Sequence, residues 1–117
     1  MESDNEKFYQ DIICMIIPGI PELRGRLEVK RFVRNKIHEI AKDYNFDFVN
    51  VMFVPISINK DVALQWICVD LTQTQETGGQ RMWTQKFEFV ESMSLVDGIR
   101  NISFRIAPYD ENKRYFS

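Results

Sequence analysis

The chain reads as an α+β domain, with two N-terminal helices packed on an antiparallel sheet of three to four strands. Two observations predict this. Apolar residues recur at helical period through residues 22–44, the mark of an amphipathic helix. From Phe46 to Val90, long β-branched and aromatic segments are separated by turn residues, which is the pattern of hairpins. A third observation bears on function. A half-buried sheet shows one apolar face, whereas these strands carry apolar residues on both. The second face needs cover, from the chain's own helices or from a partner.

The first helix opens at Ser3 and Glu6, which have the spacing of a capping box. Phe8, Ile12, Met15 and Ile16 form one stripe, and Tyr9, Ile13 and Ile17 an adjacent one, so the apolar face is broad. Pro18-Gly19-Ile20-Pro21 ends the helix, because proline cannot continue the backbone bonding and glycine accepts the cap conformation. A second helix is expected from Glu22 to Tyr44, with Val29, Phe32, Val33, Ile37, Ile40 and Tyr44 toward the core. Arg24, Arg31, Arg34, His38 and Lys42 project to its other side.

Strands follow at Phe46–Ile58, Val62–Gln73 and Gln80–Val90, joined at Asn59-Lys60-Asp61 and at a looser turn ending in Gly78-Gly79. Loop lengths set Ile58 opposite Val62 and Gln73 opposite Gln80, and residues that face each other share a side of the sheet. One side then holds Phe46, Phe48, Met52, Val54, Ile56, Leu64, Trp66, Cys68, Trp83, Phe87 and Phe89. The other holds Val49, Val51, Phe53, Ile67, Val69, Leu71 and Met82. The second helix is expected over the first, more aromatic side. A one-residue slip would exchange the faces of a strand; in the second hairpin it would set Trp66 beside Glu88 instead of Phe87. Ser92–Arg100 reads as a helical turn or loop, Ile102–Ile106 as a fourth, edge-like strand, and Tyr109–Ser117 as a loosely docked tail.

At 117 residues, 44% hydrophobic and 27% charged, the chain is a single domain, 1–117, with one core. A net charge of −2 gives no global pull toward nucleic acid or anionic lipid. The charge is uneven, however. Residues 24–42 hold seven Lys/Arg and two acids, a local +5, which leaves −7 elsewhere. Cys14 and Cys68 have no metal or redox spacing and read as two buried free thiols. The apolar run Ile12–Ile17 is too short for a secretory signal or a bilayer span. A soluble, cytoplasmic protein is therefore expected. Isoleucine (13) greatly outnumbers alanine (3), which suits an AT-rich coding genome.

Candidate chemistry is sparse. His38, the single histidine, falls on the solvent side of its helix with Glu39 and Lys42 for local company, which reads as a solvated residue. Asp70 has apolar strand neighbours and falls near Trp83 in the expected register, so it is a candidate buried carboxylate, though a solvated strand-end position is commoner. Gly78-Gly79 precedes a strand; a phosphate-binding loop needs a helix N-terminus next. No cofactor, metal or catalytic set is expected.

The basic helix is the one argument for nucleic acid, weakened because Glu28 lies at i+4 from Arg24 and i−3 from Arg31. Base stacking also needs aromatics on that face, and none falls there. The face with Val49, Val51, Phe53, Ile67, Val69, Leu71 and Met82 weighs more. Uncovered, it would exceed the apolar patch a monomer usually exposes. The expected function is a non-enzymatic protein-interaction or assembly module, forming a homodimer or docking on a larger complex, as a viral, phage or microbial accessory protein would. The alternatives are binding of nucleic acid or an acidic protein partner through Arg24, Arg31, Arg34, His38 and Lys42, and a small-ligand binder or enzyme with a pocket between the second helix and the sheet, lined by Trp66, Trp83 and Met52. In architecture alone, helices followed by a curved antiparallel sheet resemble cystatin-like and NTF2-like cones. That architecture hosts enzymes, ligand binders and assembly modules alike.

Overall fold

A computed structural model of the chain describes residues 4–15, 17, 26–59 and 61–110. Helix α1 spans Asp4–Ile13 and α2 spans Arg26–Lys42. Strands β1 (Phe48–Ile58), β2 (Val62–Thr74), β3 (Gln80–Val96) and β4 (Ile99–Pro108) form one antiparallel sheet in sequence order. The expected cap at Ser3, the Pro18–Pro21 break and the first residues of the second helix lie outside the described residues.

Both helices pack on the same face of the sheet, α2 toward β1 and α1 toward β4. The sequence dictates this through two stripes. In α2, Val29, Val33, Ile37 and Ala41 are buried at the i, i+4 spacing that defines one helix face. In α1, Phe8 and Ile12 are buried in the same way, with Tyr9 and Ile13 packed beside them. They meet Val51, Ile67, Val69, Leu71, Phe87, Phe89 and Ile106 from the sheet. Each such side chain taken from water contributes about 1.5–3 kcal/mol. Rings bind the layers edge to face: Phe8 lies 5.3 Å from Phe46, and Tyr9 lies 5.9 Å from Phe87.

This arrangement inverts the expected faces. The first hairpin pairs as expected over most of its length, with Met52 opposite Cys68 and Val54 opposite Trp66. A bulge between Pro55 and Ser57 then shifts the register, so that Ile58 faces Ala63. The second hairpin is slipped by one residue from the expectation: Thr74 pairs with Gln80 and Trp66 with Glu88. Its loop is closed by Gln75 N–H donating to the Gly79 carbonyl at 2.6 Å. The slip moves Trp83, Phe87 and Phe89 to the side of Ile67, Val69 and Leu71, and the pooled apolar set attracts both helices.

The segment expected to be a helical turn or loop is strand. β3 runs on to Val96 and turns through Asp97-Gly98 into β4. Both turn residues have positive φ, 51° and 77°, as a two-residue hairpin of primed type requires. Beyond Val62 opposite Ser92, β3 and β4 continue as a two-stranded ribbon. This lengthens the molecule to 59 × 31 × 25 Å with a radius of gyration of 16.0 Å, against about 13 Å for a compact chain of this size. No helix among the described residues is long and apolar enough to cross a membrane.

Candidate interaction surface

Among the described residues both helices lie on one face of the sheet, and no helix covers the other, although Glu88 on it is buried; this second face is the open face. Its side chains are fixed by strand register, because residues two apart on a strand share a face. Successive cross-strand rows carry Phe48, Thr72 and Met82, then Asn50, Asp70 and Thr84, then Met52, Cys68 and Lys86. Val54, Trp66, Glu88 and Ala107 follow, then Leu64, Val90 and Arg105. Three large apolar side chains here are markedly exposed: Met82 by 75%, Phe48 by 57% and Met52 by 51%. Val54, Leu64, Trp66, Cys68 and Val90 are half-buried.

At the centre of this face a lysine is held by two rings. Lys86 Nζ lies 4.4 Å from the Trp66 ring centroid and 4.6 Å from that of Tyr109. The two rings are themselves 5.3 Å apart at 80°. Tyr109 is brought there by its backbone N–H, which donates to the Lys86 carbonyl at 3.2 Å. Each cation–ring contact is worth about 0.5–1 kcal/mol while exposed and about 2 kcal/mol once water is excluded. Burial pushes the Cys68 thiol above its ordinary pKa; the Lys86 ammonium opposes that shift, and the Asp70 carboxylate adds to it. Asp70 is half-buried and accepts a hydrogen bond from Thr84 Oγ1 at 2.9 Å. It faces away from Trp83, which lies on the helix-covered side. The open face thus sets one half-buried acid, Asp70, beside two bases, Lys86 and Arg105, with a second acid, Glu88, buried between the strands' side chains.

The residues nominated from sequence are placed otherwise. Val51, Ile67, Val69 and Leu71 are buried in the core beneath the helices, and Val49 and Phe53 pack against that core. Met82 alone of that set lies on the open face. The three residues of the expected ligand pocket are divided, Trp66 and Met52 on the open face and Trp83 on the covered one, so they line no common cavity. On α2, Arg31, His38 and Lys42 are exposed. Arg34, however, lies 5.4 Å from the Phe53 ring with Lys30 at 5.8 Å, and Lys36 pairs with Glu39 at 3.1 Å. Arg24 lies outside the described residues. The stripe available to a phosphate backbone is thinner than its composition implies. Of the two thiols, Cys14 is exposed and Cys68 half-buried, which corrects the expectation of two buried cysteines. Cys14 lies one residue past the end of α1, off the apolar stripe that its neighbours extend.

Register was the missing information. Phe48, Met52, Trp66 and Cys68 were legible as sharing a face, but Lys86, Glu88 and Thr84 join them only in the slipped register. Clean segregation was the available signal: pairing the odd-numbered apolar residues of β3 with those of β2 gathers every buried ring on one side. No family model, curated protein or solved structure matches this chain.

Proposed function

We propose that this protein is a non-enzymatic interaction module that self-associates by stacking the open faces of two sheets. The observation that carries the reading is the exposure of Met82, Phe48 and Met52 on the sheet face that the chain's own helices leave uncovered. The sixteen positions in these five rows, each about 4.8 Å by 6.7 Å, give a plan area of roughly 500 Å². That is somewhat below the roughly 600 Å² that each partner contributes to the smaller stable interfaces.

A second copy suits the face better than a strongly charged partner. Asp70 against Lys86 and Arg105, with Glu88 buried beneath them, makes it weakly charged and mixed in sign. A two-fold axis brings each patch against its own complement, as isologous interfaces require. Trp66 and Tyr109 are residue types that anchor such contacts. The likeness of the architecture to cystatin-like and NTF2-like cones adds no partner to this reading.

Met52→Asp and Met82→Asp test it. Both side chains are more than half exposed in the single chain, so each variant should keep its far-UV circular dichroism and the thermal midpoint that dilute, dissociated wild type shows. The wild-type dimer should become monomeric in sedimentation. Variants that fold normally and keep the wild-type mass would overturn the proposal.

A further inference from the structure

A cleft of about 520 Å³ lies on the other side of the molecule, between α1 and the inner face of β3 and β4. It falls within the roughly 300–1,000 Å³ of small-molecule sites. Its walls are aromatic: Tyr9, Tyr44 and Phe87 line it, and Tyr9 and Phe87 meet edge to face at 5.9 Å. Its polar lining holds two acids, two amides (Gln10 and Gln85) and one base. Glu6 and Asp11 come from α1 with Lys7 between them, leaving one net negative charge. Tyr44 Oη donates a hydrogen bond to Asp11 Oδ2, which fixes that carboxylate against the aromatic wall although the two residues are far apart in sequence.

Aromatic walls attract cations through the ring quadrupole, and a positioned carboxylate adds a charge-assisted hydrogen bond. We infer that this cleft binds a small organic cation with a flat apolar body, an arylalkylamine in its simplest form. The ring packs against the half-buried Tyr9 and Tyr44, and the ammonium donates to Asp11. Free amines and carboxylates of one size separate the reading cleanly, since an acid of the same body keeps every apolar contact and reverses the charge. The site is on the helix-covered side and does not depend on self-association.

The test is calorimetric titration of the full chain with phenethylamine and tryptamine, beside 3-phenylpropionate as the matched acid. Saturable one-site binding of the amines, at least tenfold tighter than the acid, is expected. Asp11→Asn should weaken the amines at least tenfold. Because that variant also alters the bond from Tyr44, Glu6→Gln serves as the second variant: Glu6 is exposed at the rim, so the fold is kept and amine affinity falls severalfold. No saturable amine binding, an acid that binds as well as the amines, or unchanged amine affinity in folded Asp11→Asn and Glu6→Gln would overturn the inference.

Discussion

Asp47 is the residue whose chemistry most directly reports the fold. It stands just before β1 and accepts hydrogen bonds from the Thr74 side chain and from the Thr74 backbone N–H, which hold its carboxyl below the ordinary carboxylate range. Its own N–H donates to the Thr72 carbonyl at 2.9 Å, so the residue fastens the start of β1 to the end of β2. A carboxylate whose folded pKa is depressed stabilises the fold above its unfolded pKa, and that contribution is lost as pH falls through the folded value. Asp47→Asn should therefore lower the thermal midpoint at pH 7, with the gap from wild type closing on acidification below about pH 4. A gap constant from pH 7 to pH 2 would contradict the bonding described. The thiols give a second readout. Cys14 is exposed, whereas burial raises the pKa of Cys68 on the sheet. Iodoacetamide at pH 8 should label Cys14 first, with Cys68 reacting at least several times more slowly because the thiolate is the nucleophile. Equal rates would count against the half-buried placement of Cys68.

At the scale of elements, the helices and the first hairpin were legible in the sequence because their patterns are unambiguous. Val29, Val33 and Ile37 recur at one helical period, and Asn59 accepts from the N–H groups of Asp61 and Val62 at 3.1 and 2.9 Å to close the turn. The second hairpin was not, because β3 carries large side chains at both parities. Trp83, Phe87 and Phe89 oppose Met82, Lys86 and Glu88, and one residue of loop decides which set faces the helices. Asp97-Gly98 was a readable hairpin signal, since that pair favours positive φ at both positions, yet the weak alternation of Ser92–Leu95 masked the strand before it. The face exchange has a measurable consequence. Val69 is fully buried under the helices, so Val69→Asp should unfold the chain, a desolvated charge costing several kcal/mol. A folded Val69→Asp that merely loses self-association would return the interface to the helix-covered face.

For the whole molecule, one asymmetry organises the account. Two helices suffice to cover one face of a four-stranded sheet, and here they cover the one that holds Ile67, Val69, Leu71, Phe87 and Phe89. The opposite face keeps its methionines and Phe48 in water, with a lysine clasped between Trp66 and Tyr109 at its centre. Edge pairing is the competing route for association, but β1 is blunted by Pro55 and the adjoining bulge, which spoil a strand as a template. We propose stacking of the open faces over pairing through β4, the sheet's other edge. Absolute mass by light scattering across a concentration series tests it most directly. The chain weighs 13.9 kDa, and the account predicts twice that mass over the upper part of the series, falling toward the single-chain value on dilution. A single-chain mass at every concentration would contradict it.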